Sequence, residues 1–135
     1  MRHLGEGTRG ERGQTMTEFA IVLPIFLMLL LGIAQLGIVF HNYIQLTDGV
    51  RAATRYGVTM NCDGAGTCDR SGKVVAKVKE SAANLDPAKV STTITSSWAS
   101  GTDLKVCSTY PYSVSLIGLV VKSGTFGSCT TEKLE

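Results

Sequence analysis

One apolar run limits what this chain can fold into more than any other feature. Of the 22 residues from Phe19 to Phe40, 18 are apolar, the exceptions being Pro24, Gly32, Gln35 and Gly37, and no charge occurs between Glu18 and Asp48. A helix crosses a hydrocarbon layer of about 30 Å with about 20 such residues. The run is therefore long enough to span a bilayer. The C-terminal part, Val58 to Glu135, is 78 residues with Lys+Arg 8 and Asp+Glu 7. A core that small is marginal without a staple or a partner. The whole chain of 135 residues has a formal net charge of +2, which gives no electrostatic reason to expect a nucleic-acid partner.

The cysteines suggest the staple. All four, Cys62, Cys68, Cys107 and Cys129, lie in the C-terminal part, and an even count in a small domain behind a membrane segment points to disulfides and an oxidising, extracytoplasmic compartment. Four cysteines allow three pairings. We favour Cys62 with Cys68, closing the loop Asp63-Gly64-Ala65-Gly66-Thr67, and Cys107 with Cys129, joining two segments that read as strands. Four reduced thiols are the plain alternative. A zinc site is disfavoured because the gaps do not resemble paired C-x-x-C knuckles.

The flanks of the run set its orientation. Arg2, Arg9 and Arg12 precede it, against Glu6 and Glu11, and basic residues keep the short N-terminal segment in the cytoplasm. The C-terminal part is then exported, in accord with the cysteines. A cleaved secretory signal would end in a motif such as Gly32-Ile33-Ala34. Against that reading, the run continues past Ala34 to Phe40, and Glu18 sits at its entrance. The pattern beyond also stays helical, with Tyr43, Leu46, Val50, Ala53 and Gly57 recurring at spacings of three and four. Span and stripe read as one helix from Gln14 to Tyr56, about 65 Å long. Its second half projects beyond any bilayer. Pro24 lacks an N–H and is expected to bend or open the helix early in the span.

Glu18 needs a reason to be where it is. A carboxylate at the head of an apolar helix is costly unless it faces a partner charge. It could simply sit at the polar interface and favour the helix N-terminus. If the chain is cut after Gly13, however, Gln14 becomes a free amino terminus four residues before Glu18. A neighbouring subunit's ammonium can then pair with Glu18 and set the register between adjacent helices.

The C-terminal part reads as a helix and then strands. From Ser71 to Leu85, Val74, Val75, Val78, Ala82 and Leu85 share one face and Lys73, Lys77, Lys79 and Glu80 lie outside it, with Asp86-Pro87 ending the helix. Val90 to Trp98 and Leu104 to Tyr110 alternate as strands about a turn at Ser100-Gly101-Thr102-Asp103, and Thr125 to Thr131 is a third strand. Pro111 is expected to end the second. The apolar stretch Val114 to Val121 is too short to span a bilayer. The expected fold is α+β: three or four antiparallel strands against the projecting half of the long helix. Trp98, Tyr110 and Tyr112 are core aromatics or, failing that, a binding patch.

Other motifs carry no chemistry. Gly5-Glu6-Gly7-Thr8-Arg9-Gly10 spells G-x-G-x-x-G, but no strand precedes it and no βαβ unit surrounds it. Asp63 and Asp69 flank a glycine-rich loop without the ligand ladder of a calcium site. His3 and His41 are far from any nucleophile in an exported pocket. No enzyme, metal, cofactor or small-molecule substrate is expected.

The stretch Arg12-Gly13-Gln14-Thr15-Met16-Thr17-Glu18-Phe19-Ala20, continued by Ile21-Val22-Leu23-Pro24, resembles the N-terminus of the TadE-like pseudopilins of tight-adherence (Tad, Flp-type) type IV pilus systems. Gly13, Glu18, Phe19, Leu23 and Pro24 match that pattern residue by residue, and Arg51-Ala52-Ala53 matches its continuation in part. Over residues 10 to 57 the likeness is specific; beyond Gly57 it rests on size and a late Tyr-Pro-Tyr. The resemblance implies cleavage between Gly13 and Gln14 by a prepilin peptidase of the inner membrane. It implies assembly contacts through Glu18, Phe19, Leu23 and Pro24, with other pilins and pseudopilins of the Tad machinery as partners. The expected organisation is a cytoplasmic leader (1–13), a transmembrane and projecting helix (14–57) and an exported pilin-like α+β domain (58–135), in the inner membrane or in a pilus. A single-pass anchored binding module, not processed, is the alternative.

Overall fold

The computed structural model describes residues 9–60, 68–116 and 118–134. The chain forms a long helix, α1 (Arg9–Thr59), a short one, α2 (Arg70–Ser81), and three strands, β1 (Ser91–Thr95), β2 (Asp103–Leu116) and β3 (Leu119–Lys133). The strands make one antiparallel sheet in the order β1-β2-β3. The architecture is α+β, with a long apolar N-terminal helix and a small antiparallel sheet.

α1 is one continuous helix that includes Pro24. It begins five residues ahead of the expected start and runs through the Gly13–Gln14 peptide. Extending a long helix costs far less than nucleating one, so Arg, Glu and Arg at its head are carried along despite two glycines.

Among the described residues, only the second half of α1 has a core to bury. Leu46, Val50 and Ala53, the stripe read from the sequence, are fully buried against Val74 and Val78 of α2 and Leu104 and Val106 of β2. Ala82, Leu85, Val90 and Leu134 close the same core. Buried polar groups are satisfied locally: Thr54 Oγ1 donates to the Val50 carbonyl at 2.7 Å, and the Ser108 and Thr92 hydroxyls share a bond of 2.9 Å.

Two glycines let α1 lie close to its neighbours. A Cβ on Gly49 would stand 3.1 Å from the Val78 carbonyl oxygen and 3.2 Å from the Ala82 Cβ; one on Gly57 would stand 2.7 Å from Leu104 Cδ2. Gly49→Leu should push α2 outward and cost about 1–3 kcal/mol. Denaturant unfolding in detergent checks this, and an unchanged midpoint would mean that α2 is free to shift.

α2 starts at Asp69, whose carboxylate accepts from the Gly72 N–H at 2.8 Å, the usual satisfaction of an orphan donor at a helix head. It stops at Ser81, earlier than Leu85, and a turn carries Ala82 and Leu85 into the core instead. In the Asp86-Pro87 turn beyond it, the Ala88 N–H donates to Asp86 Oδ1 at 3.0 Å. That bond first, and Lys89 after it, hold the Asp86 carboxyl below the ordinary range.

Three strand expectations change. β1 ends at Thr95, and Trp98 adopts a left-handed backbone (φ 55°) instead of extending the strand. Arg70 meets Trp98 twice there, Nη1 donating to its carbonyl at 3.2 Å and the guanidinium lying 5.8 Å from the ring centroid. Pro111 does not end β2 but sits inside it, opposite Thr125. β1 pairs with β2 only as far as Thr109, so Pro111 lies where one side of β2 is open, and a proline is tolerated there. The third strand is much longer than Thr125 to Thr131, because Val114 to Leu116 and Leu119 to Val121 form the end of a β2–β3 hairpin, beside Gly118 (φ +80°).

Candidate functional site

The residues singled out at the N-terminus all stand on the first turns of α1. Gln14 and Glu18 lie one turn apart, and Gln14 Nε2 donates to Glu18 Oε1 at 3.5 Å. Thr17 Oγ1 donates to the Gln14 carbonyl at 2.7 Å. Phe19 is 64% exposed and Leu23 40%, and every residue from Gln14 to Leu31 is exposed. Proline at 24 brings no N–H to the carbonyl of Ala20. This half of α1 is a rod of apolar side chains that touches nothing else among the described residues, with one carboxylate near its head. By length and composition the helix from Gln14 to Thr59 is a candidate membrane span, its most apolar window having a mean hydropathy of 2.6.

The other end of the apolar run is different, because the hairpin comes down to meet it. β2 runs antiparallel to α1. Leu104 stands beside Gly57, Phe126 of β3 packs edge-on against Tyr43 (ring centroids 5.7 Å apart), and Ser115 reaches Gln35. The lengths agree: Gly57 to Gln35 is about 33 Å of helix and Leu104 to Ser115 about 36 Å of strand.

At the meeting point the Gln35 side chain acts as a one-residue strand. Its Oε1 accepts from the Ser115 N–H at 2.8 Å and its Nε2 donates to the Ser115 carbonyl. Both polar groups of the amide and both backbone groups of Ser115 are thereby satisfied next to apolar surroundings, where each would be costly if left open. The sequence held half of this signal. Gln35 is the one amide inside the apolar run, so it needed a partner. Nothing in the run itself names a residue 80 positions later.

Above that latch lies a cluster of rings. Phe126 is met by Tyr43, by Tyr110 at 5.8 Å and by Tyr112, stacked at 5.9 Å, and Phe40 lies 6.4 Å from Tyr43. Tyr110 and Tyr112 therefore join a helix-to-sheet contact, while Trp98 packs at the other end of the core. Sequence reading missed Phe126, which sits at the centre. Between α1 and the hairpin is a cleft of about 830 Å³, lined by Gln35, Ile38, Val39 and Asn42 on one side and Tyr110 to Ser113 on the other.

Cys107 and Cys129 are directly opposite in the β2–β3 register and form a disulfide, with Cα atoms 4.1 Å apart. Cys68 is also disulfide-bonded, just ahead of α2. Cys62, and the loop it is expected to close with Cys68, lie outside the described residues.

No curated protein and no solved structure matches the chain. One family does, that of TadE-like protein, over residues 13–55. The matched stretch holds Gly13, Glu18, the exposed apolar rod, Gln35 and most of the buried stripe. From Gly13 to Arg55 this chain is similar to the TadE-like proteins.

Proposed function

We propose that the protein is a pseudopilin, or minor pilin, that acts in assembly of a Tad-type pilus after cleavage behind Gly13 by a prepilin peptidase. The role is structural rather than catalytic. The observation that carries it is the bare half of α1: exposed residues in an unbroken series from Gln14 to Leu31, headed by Glu18 and matched to the TadE-like family. Such a surface is stable only against lipid or against other apolar helices, and a pilin-type subunit meets both in turn. Before assembly the helix crosses the inner membrane with its basic leader in the cytoplasm. During assembly the same face packs on the helices of partner pilins, and Phe19 and Leu23 supply contact area while Glu18 supplies register.

The test is the N-terminal residue of protein extracted from membranes of producing cells. A start at Gln14, with loss of the 13 residues before it, is the expected result, and Gly13→Ala should impair or prevent that loss. Met1 as the only start would favour the uncut anchored module, and Gln35 a secretory signal.

A further inference from the structure

At the described end of the β2–β3 hairpin the β3 strand is apolar over three successive residues, with Ser115 of β2 opposite the middle one. Further up β3 the pattern alternates: Phe126, Ser128 and Thr130 are half-buried toward the helix, and Thr125, Gly127, Cys129 and Thr131 face outward. At the tip this alternation is lost. Leu119, Val120 and Val121 succeed one another with 76%, 65% and 67% of their surface exposed; Leu119 and Val120 point to opposite faces, and Val121 is the extra residue of a bulge between the pairs Ser115–Val120 and Val114–Lys122. A ribbon with one water-facing side would carry polar residues there.

The latch fixes where this tip stands relative to the span. Val120 pairs with Ser115, and Ser115 is bonded to Gln35, so Val120 is level with Gln35. If Glu18 marks the inner boundary of the hydrocarbon, about 20 residues of helix place the outer boundary near Ile38, about 5 Å beyond Gln35. The tip then lies inside the boundary while the rest of the sheet stands above it. Two further features fit that level. Lys122, opposite Val114, is one pair higher, where its ammonium can reach the headgroups while its stem lies along the apolar tip. The ring cluster of Phe40, Tyr43, Tyr110, Tyr112 and Phe126 is higher again, where an aromatic belt lies.

We infer that Leu119, Val120 and Val121 form a second membrane contact, dipping about 5–10 Å into the outer leaflet of the bilayer that α1 crosses. The inference rests on α1 being a membrane span, but not on its place in a pilus. Its consequence is orientation: with helix and tip both in lipid, the tilt of α1 and of the domain packed on it is restricted relative to the bilayer. The outer edge of β3 has no partner strand among the described residues, so a shallow position suits the hairpin and a deep one would strand backbone donors in hydrocarbon. The Gln35 amide gives the inner edge the cover it needs.

The experiment uses the full chain in vesicles of phosphatidylethanolamine and phosphatidylglycerol whose acyl chains are brominated near the carbonyl or near the methyl end. Val120→Trp adds one fluorophore at an exposed site, and the parent protein, with Trp98 alone, is the baseline. Bromines near the carbonyl should quench the added emission about two-fold or more, and bromines near the methyl end should quench it less, as for a shallow insertion. Leu29→Trp, in the middle of the span, is the companion and should show the opposite order. Quenching at position 29 with none at 120 overturns the tip contact and leaves the span intact. No quenching at either position overturns the span and the tip contact with it. Emission at 120 that is water-protected but insensitive to bromine, and that changes with protein density in the vesicle, overturns the lipid contact in favour of a second copy.

Discussion

Glu18→Gln and Glu18→Ala are expected to leave the protein in the membrane and to abolish its association with partner pilins. Insertion should not suffer, because removing the charge lowers the cost of placing the helix head in an apolar layer. Association should suffer greatly. In the uncut chain the carboxylate accepts from Gln14 Nε2 at 3.5 Å, on an exposed helix surface, a contact worth little in water. In the proposed assembly, with Gln14 as the terminus and the helices packed together, the same carboxylate would be shielded from water and would face an ammonium. Breaking one partner of such a pair costs about 3–5 kcal/mol, or at least about a hundredfold in association. Glutamine should behave like alanine, since it keeps shape and hydrogen bonding but not charge. Cross-linking to co-expressed pilins, read beside membrane fractionation, separates the two effects. Full piliation and unchanged cross-links in both variants would reduce Glu18 to an interfacial residue and strengthen the anchored-module reading.

Loss of the Cys107–Cys129 bond should be the largest single change in the stability of the C-terminal part. The bond lies on the outward side of the sheet, with Cys129 exposed and Cys107 half-buried, and so contributes little to the core itself. Its effect is to tie two residues 22 apart in the sequence, which removes loop freedom from the unfolded chain. For a small domain that is worth about 2–5 kcal/mol. Cys107→Ser, Cys129→Ser and the double variant should lower the urea midpoint by nearly the same amount, because the second change has no bond left to break. A double variant twice as damaging as either single one would shift the effect from the bond to the side chains. Alkylation without reductant should leave both sulfurs unmodified in the parent protein.

Much of the fold can be read from the chain because its signals are local. The apolar run, the stripe from Leu46 through Val50 to Ala53, the face of α2 and the alternation of Leu104, Val106 and Ser108 each arise from a period of three to four or of two. The core buries those same residues. Gly13, Glu18, Phe19, Leu23 and Pro24 are legible for another reason. They form a compact pattern on one short stretch of helix, which the rest of the described chain does not touch.

Where a strand stops and what it meets are decided elsewhere. Pro111 reads as a terminator, yet β2 passes through it because β1 ends first and leaves that side open. Trp98 reads as the end of a strand, yet Arg70, 28 residues earlier, holds its carbonyl in a left-handed turn. The expected sheet covers only the projecting half of α1. Instead β2 and β3 continue down the helix to Gln35, since a Gly118 turn and a bonded amide make the longer hairpin possible. By itself, then, the sequence determined a long apolar helix with a carboxylate at its head, an amphipathic continuation and a small sheet with a staple, because periodicity and burial are properties of neighbouring residues. Only the tertiary structure decided that the hairpin meets the helix within the apolar run. That contact joins positions 35 and 115, and no period along the chain links residues so far apart.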